Sequence, residues 1–224
     1  MSAAAAPRAI WFDLDGTLAD TAPDLAYALN ALRAEHGLAG LEFAAIRPLV
    51  SAGSYALIAL GFGVQREDPR CEPLRDRLLA IYAAHLVCGT RLFPGMEAVL
   101  DALDRLGIAW GVVTNKPDRL AAPLLAGLGL SGRVRCLVGG DSTVRRKPHP
   151  DPLLRAAQLC GMAPGDCAYV GDAAGDIAAG RAAGMRTVAA AWGYIAPGDD
   201  PAGWRADAVA DHPGQVLARL GLPA

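Results

Sequence analysis

Several marks of common functional classes are missing from this sequence. Its 224 residues include five cysteines (Cys71, Cys88, Cys136, Cys160, Cys167), an odd number with no C-x-x-C pair. That pattern speaks against a disulfide framework or a cysteine zinc site and fits small buried thiols in a reduced compartment. There is no run of Lys or Arg; "VRRK" (144–147) is too short to count, and the formal net charge is −2. Without a basic footprint no nucleic-acid partner is expected. No stretch approaches the roughly 18 apolar residues of a membrane span, so no membrane partner is expected. The start, "MSAAAAPRAI", has no basic segment leading into a long apolar one, so no signal peptide is expected and a cytoplasmic location is. Internal repeats are absent, and nothing in the pattern specifies an oligomeric state.

Apolar residues are plentiful. At 53% hydrophobic composition the chain can bury a substantial core. Short β-branched or aromatic runs, "AIWFDLD" (9–15), "AWGVVTN" (109–115), "RCLVGG" (135–140), "CAYVGD" (167–172) and "TVAAAW" (187–192), read as strands. Helix-length segments separate the later ones, and several end in the Gly expected just past a helix. This alternation predicts an α/β fold: a doubly wound, Rossmann-like parallel sheet with helices on both faces. The interval from about Asp20 to Gly89 breaks the rhythm with helical patterns only, such as "PDLAYALNALRAEHG" and "EPLRDRLLAIYAAHL". Residues 1–19 and 90–224 are therefore expected to form the core domain and 20–89 an inserted helical cap.

The strand ends carry the chemistry. The first delivers Asp13 and Asp15, the second Thr114 and Asn115, and the fourth Asp172 with Asp176 following; Lys147 lies between the third and fourth. Singly, each is ordinary: Thr-Asn suits a turn, and a lone lysine reads as a surface residue. Together, four converging carboxylates against one lysine require compensation, since like charges cannot all ionise side by side. A bound Mg²⁺ would supply it, held by a few carboxylate oxygens and completed by water and substrate phosphate. Lys147 and the Thr114 hydroxyl would then grip phosphate oxygens.

"DLDGTLADT", "VVTN", "KPHPDP" and "VGDAAGD", in this order, closely resemble the four motifs of the haloacid dehalogenase superfamily of phosphatases. The resemblance spans essentially the whole chain, the cap between the first two motifs included. It implies that Asp13 is the nucleophile, forming an aspartyl-phosphate, and that Asp15 is the acid and base. Thr114 and Lys147 would bind phosphate and Asn115 would orient the site. Asp13, Asp15 through its backbone carbonyl, and Asp172 would hold Mg²⁺, with Asp176 just outside. Many relatives carry a small hydroxyl residue after the fourth-motif aspartate, where this chain has Ala173; one supporting hydrogen bond is thereby put in question. By analogy with related caps, the loop "RPLVSAGS" is expected to select the substrate through Arg47, Ser51, Gly53 and Ser54. His36, His85, His149 and His212, and Trp192 and Trp204, have no pattern that raises them above loop or packing residues.

The substrate implied is a small phosphorylated metabolite. "LFPGMEAVLDAL", "GVVTNKP", "GGDSTVRRKPHPDPLL" and "GYI" look like phosphoglycolate phosphatases. The tail "WGYIAPGDDPAGWRADAVADHP" is similar to bacterial phosphatases acting on N-acetylmuramic acid 6-phosphate. A sugar phosphomutase is a weaker match, since those relatives usually read D-x-D-G-V. From another class, phospho-accepting receiver modules also combine an aspartate, Mg²⁺, a hydroxyl and a lysine. They lack a cap of this length and a D-x-D partner, and they do not turn over.

Overall fold

The structure, a computed structural model, describes residues 6–223; Met1–Ala5, most of the alanine-rich start, and Ala224 lie outside the described residues. The elements run β1 (Ala9–Phe12), β2 (Ala19–Asp20), α1 (Ala22–Glu35), α2 (Phe43–Ile46), α3 (Ser54–Phe62) and α4 (Cys71–Ala84). They continue with β3 (Arg91–Leu92), α5 (Met96–Leu106), β4 (Ala109–Val113), α6 (Asp118–Gly127), β5 (Leu137–Val138) and α7 (Asp151–Leu159). The last are β6 (Cys167–Gly171), α8 (Ala174–Ala182), β7 (Arg186–Ala190), β8 (Ala208–Ala210) and α9 (Val216–Arg219).

Six strands form one sheet in the order β5-β4-β1-β6-β7-β8, every neighbouring pair parallel. The order reverses between β1 and β6, and in open α/β sheets a ligand binds in the crevice beyond the carboxyl ends at such a point. Side chains alternate across the central strands. Ile10, Phe12, Val112 and Val170 join one apolar cluster; Ala9, Trp11, Val113 and Tyr169 join the other, beneath α7 and α8. Helix α5 shows how the helices meet this sheet: Met96, Val99, Leu100 and Leu103 make a buried stripe at helical spacing, ended by a left-handed Gly107.

The helices α1 to α4 sit between β2 and β3, which pair antiparallel and so stitch together the two chain crossings into and out of the helical segment. Asp24 reinforces that crossing: its carboxylate accepts from Gly89 N (2.6 Å), Thr90 N (3.0 Å) and Thr90 Oγ1 (2.7 Å). Leu25, Leu29 and Leu32 of α1, Leu57 and Ile58 of α3, and Leu78, Leu79 and Tyr82 of α4 are buried in the same cluster as one face of the sheet.

The expected strands are all present but shorter. The first stops at Phe12 instead of reaching residue 15, because the chain turns where its carboxylates begin, and the third keeps only Leu137–Val138. The edge strand β8 and the β2–β3 ladder are additions that no sequence pattern announced.

Candidate active site

The turn after β1 explains the residue types that follow the first aspartate. Asp13 N–H still donates to Val170 O (2.9 Å), and the chain then curls back so that Gly16 N meets Ala19 O (3.0 Å). Gly16 has φ +87°, and any side chain there would strike the Asp172 carboxylate, so this position takes only glycine. Thr17 donates its hydroxyl to Asp172 Oδ1 (2.8 Å). The Gly-Thr pair thus brings the end of β1 against the end of β6 and ties them together.

Asp13, Asp172 and Asp176 are buried, and one oxygen from each lies within 4.8 Å of the others. Burial pushes the Asp13 carboxyl up to about 7; Lys147 opposes this, and the charges of Asp176 and Asp172 add to it. Asp172 is pushed up to about 6, again by burial first and then by Asp176, against hydrogen bonds from Tyr194 N, Ser51 and Thr17. Lys147 Nζ is 2.9 Å from Asp13 Oδ1 and 2.7 Å from Asp176 Oδ1, and lies 2.6 Å from Tyr169 Oη. Burial disfavours its charge, but Asp13 and Asp176 outweigh that and raise its pKa above the usual lysine value. Three carboxylates therefore face one ammonium, and the buried Asp13 Oδ1 has that ammonium beside it and no further donor. A hard divalent cation with oxygen ligands fits this donor set and charge deficit. The Asp15 carboxylate stands apart from these three, and Asp176 lies among them, paired with Lys147.

Asp15 is oriented from two sides. Its Oδ1 accepts from Thr21 Oγ1 (2.5 Å) and from Lys116 Nζ (2.7 Å). Lys116, the residue after the Thr-Asn pair, is buried, with its ammonium 4.5 Å from the centre of the Tyr82 ring. Neither Lys116 nor Tyr82 was singled out by the sequence. Adjacency to Asn115 was the available signal for the first; Tyr82 lies on an apolar helical stripe with Leu78 and Leu79 and reads as core.

Asn115 exchanges two hydrogen bonds with the Lys147 backbone, each 3.1 Å, and so fixes the loop that carries the lysine. Thr114 accepts from Lys116 N (3.2 Å) and lines a cavity of about 310 Å³ with Asp13, Asp15 and Lys147. Ser51, Gly53 and Ser54 close the other side of that cavity. Ser51 donates to Asp172 Oδ2 (2.7 Å), reaching from the helical segment to the carboxylate triad. Ser54 instead accepts from Arg75 Nε (3.0 Å). Arg47 lies away from the cavity lining: its guanidinium covers the Tyr194 ring at 4.9 Å. Tyr194, which stands in the "WGYI" stretch, is a junction to which the sequence assigned no role. Its N–H donates to Asp172 Oδ2 (3.0 Å), its hydroxyl accepts from Thr21 N (2.7 Å) and Ala22 N (2.9 Å), and the same hydroxyl donates to Asp20 Oδ1 (2.7 Å).

The question raised by Ala173 has a local answer. Asp172 receives hydroxyls from Thr17 and Ser51, so its support does not depend on the next residue. What Ala173 lacks is a side-chain cap for α8; Asp176 Oδ2 partly compensates by accepting from Ala173 N (3.1 Å). The four histidines stay outside the cavity: His85 stacks on Tyr27 at 3.8 Å, His149 pairs with Asp151 at 3.0 Å, His36 meets Phe62 edge-on, and His212 precedes the turn at Pro213. Trp192 packs on the first-motif turn, donating to Thr17 O (3.0 Å), and Trp204 donates to Asp199.

A model of haloacid dehalogenase-like hydrolases matches residues 7–184, which hold all of these carboxylates and both lysines. The chain belongs to the haloacid dehalogenase-like hydrolase family. This hydrolase is 47% identical over 217 residues to a phosphoglycolate phosphatase of Xanthomonas campestris pv. campestris, a match covering 97% of this chain and 98% of the relative. It is 43% identical over 210 residues to an N-acetylmuramic acid 6-phosphate phosphatase of Pseudomonas aeruginosa, covering 94% of this chain and 93% of the relative. Among solved structures, one described as a predicted phosphoglycolate phosphatase from Haemophilus somnus 129pt superposes with a TM-score of 0.83 at 27% identity, covering 94% of this chain and 96% of that one.

Proposed function

We propose that this hydrolase is a Mg²⁺-dependent phosphomonoesterase that works through an aspartyl-phosphate on Asp13, with 2-phosphoglycolate as its substrate. The observation that carries the reading is the pairing of the β1 aspartates with different cations in one cavity: Asp13 with Lys147 beside the carboxylate triad, Asp15 with Lys116. Asp13, Asp172 and the backbone carbonyl of Asp15 would hold Mg²⁺, with Asp176 supporting Lys147 and the first turn of α8. The metal would mask phosphate charge and so make phosphorus open to attack by an anion.

The chain's own residues then divide the work. Lys147 and Thr114 hold non-bridging oxygens of the phosphoryl group. Asp13 attacks phosphorus, and the ester oxygen leaves with the proton supplied by Asp15. The same Asp15 then takes a proton from the water that hydrolyses the aspartyl-phosphate, returning both residues to their starting forms. Thr21 and Lys116 hold the Asp15 carboxylate in place, and Asn115 holds the Lys147 loop. Residues 6–19 and 90–223 serve as the core, and 20–89 as a cap whose loop at Ser51–Ser54 closes the cavity.

The cavity of about 310 Å³ is at the small end of the ~300–1,000 Å³ usual for ligand sites, which favours a small metabolite. N-acetylmuramic acid 6-phosphate is the second reading, carried by the relative of that name. A panel containing both esters, compared by kcat/KM with and without chelator, tests the assignment. The expected result is Mg²⁺-dependent release of many phosphates per chain with 2-phosphoglycolate preferred. A preference for the sugar phosphate would replace the substrate, full activity in excess chelator would remove the metal, and one phosphoryl group per chain without turnover would favour a receiver-like role.

A further inference from the structure

Lys116 and Tyr82 have donors to spare in the part of the cavity where the leaving group must lie. Lys116 follows β4 and Tyr82 belongs to α4, so the pair spans the sheet and the helical segment. The Lys116 side chain is 6% exposed, and among the described residues the one carboxylate within ion-pair distance is that of Asp15. An ammonium has three N–H donors; Asp15 takes one and the Tyr82 hydroxyl lies beside another, which leaves one for a ligand. The Tyr82 hydroxyl is completely buried beside the Lys116 ammonium and has no acceptor for its own proton, although Tyr82 lines the cavity. A buried hydroxyl whose proton has no acceptor carries a desolvation cost that a ligand oxygen would relieve. Three other cations line the cavity: Lys147 is paired with Asp13 and Asp176, Arg75 is held by Ser54 and Glu72, and Arg146 is exposed.

We propose that Lys116 and Tyr82 form a carboxylate-binding subsite that reads an acid group on the carbon attached to the ester oxygen. The proposal rests on the phosphatase reading above and deepens it by naming the substrate class: phosphate esters of short α-hydroxy acids. The chemistry of position leads there. Asp15 must reach the ester oxygen to protonate it, and Lys116 touches Asp15. A group recognised by Lys116 is therefore only a bond or two from that oxygen. In 2-phosphoglycolate the carboxylate stands at that distance. In a hexose 6-phosphate the neighbouring positions carry neutral carbon and oxygen, and an acidic ether substituent lies across the ring. A carboxylate shared between Lys116 and Tyr82 would have one donor for each oxygen, an arrangement a neutral group cannot match.

Non-hydrolysable phosphonates separate binding from proton transfer by Asp15. In 3-phosphonopropionate a methylene replaces the ester oxygen of 2-phosphoglycolate, and propylphosphonate is a similar molecule without the acid. Inhibition constants for both are measured on the full chain with Mg²⁺, for the parent, Lys116→Met, Lys116→Arg and Tyr82→Phe. The parent is expected to prefer the acid. Lys116→Met should weaken 3-phosphonopropionate by about 10–100-fold, the range of a charge-assisted hydrogen bond, and propylphosphonate by no more than about threefold. Lys116→Arg should restore much of the preference. Tyr82→Phe, which removes one oxygen and keeps the test open if Met at 116 prevents folding, should weaken the acid alone by about 3–10-fold. Equal weakening of both phosphonates, or no weakening of either, would overturn the subsite, as would a parent that binds them equally. Failure of the underlying phosphatase reading would show separately, as absence of p-nitrophenyl phosphate turnover by the parent.

Discussion

Lys147 and Lys116 are both buried ammoniums paired with an aspartate from the end of β1, yet their surroundings differ. Lys147 is set entirely within the sheet half of the molecule, among Asp13, Asp176, Tyr169 and a backbone carbonyl, with Asn115 holding its loop. Lys116 has one aspartate and an aromatic ring supplied by α4. The first environment is crowded with anions and suits a group common to every substrate. The second is half apolar, borrows a wall from the helical segment and suits what varies between substrates. Residues around Lys147 should therefore act on all esters alike, and residues around Lys116 on some more than others.

Asp13→Asn should have the largest effect on this contrast, because it removes the nucleophile for every ester. A fall in kcat of about 10⁴-fold or more is expected, with the fold retained as judged by thermal melting. Lys147→Ala comes next: a loss of about 10²–10³ in kcat/KM, similar across a panel of esters, since each shares the phosphoryl group. The same change strands buried Asp13 and Asp176, so a loss of about 3–5 kcal/mol in stability should accompany it in denaturant titrations. A loss confined to one substrate would break the comparison.

The carboxylate triad gives opposite pH trends with and without metal. The Asp13 and Asp172 carboxyls titrate near 7 and 6 in the folded chain, above the ordinary 3.8. The folded, metal-free protein thus binds more protons than the unfolded chain between these values. That stabilisation is full below about pH 4 and is lost as the pH rises through 6 to 7. Mg²⁺ must displace those protons, so its affinity should increase over the same interval. Melting curves in chelator and in Mg²⁺ from pH 5 to 8 should therefore diverge, the metal-dependent gain widening with pH. A gain that shrinks would contradict Asp13 and Asp172 as metal ligands.

Smaller effects separate the members of the cap loop. Ser51 bonds the shared Asp172, which keeps its bonds from Thr17 and Tyr194, so Ser51→Ala should lower kcat/KM by about 3–10-fold for every ester, the range of an ordinary hydrogen bond. Ser54→Ala removes one of the contacts that hold Arg75, leaving Glu72 and Asp76, and should alter substrates unequally. The reverse pattern would exchange their roles. Smallest of all, Ala173→Ser would supply the missing cap on α8 and should stabilise the protein by about 0.5–1 kcal/mol in denaturant titrations.

The D-x-D-G-T stretch was legible because its chemistry is local: two aspartates, a glycine forced by the turn and a threonine within reach of Asp172. The alternation of strands and helices likewise reads directly, since burial on both faces demands continuous apolar runs such as Ala9–Phe12. Lys116 and Tyr82 escaped notice because their meaning is a long-range contact. The bond from Lys116 to Asp15 spans 101 positions, and Tyr82 is indistinguishable from core until α4 is placed against the site. Tyr194 escaped for the same reason, bridging Asp172 and the start of α1 from a loop after β7. The edge strand β8 has only three residues, too few to show a period.

Asp15→Asn, mixed with an activated ester such as p-nitrophenyl phosphate, tests the central claim most directly. That leaving group needs no proton, so the first step should proceed while hydrolysis stalls for want of a base. A burst approaching one p-nitrophenol per chain is predicted, together with a mass gain of one phosphoryl group on the peptide containing Asp13. Fast turnover with no adduct, or an adduct on a different residue, would contradict Asp13 as the nucleophile.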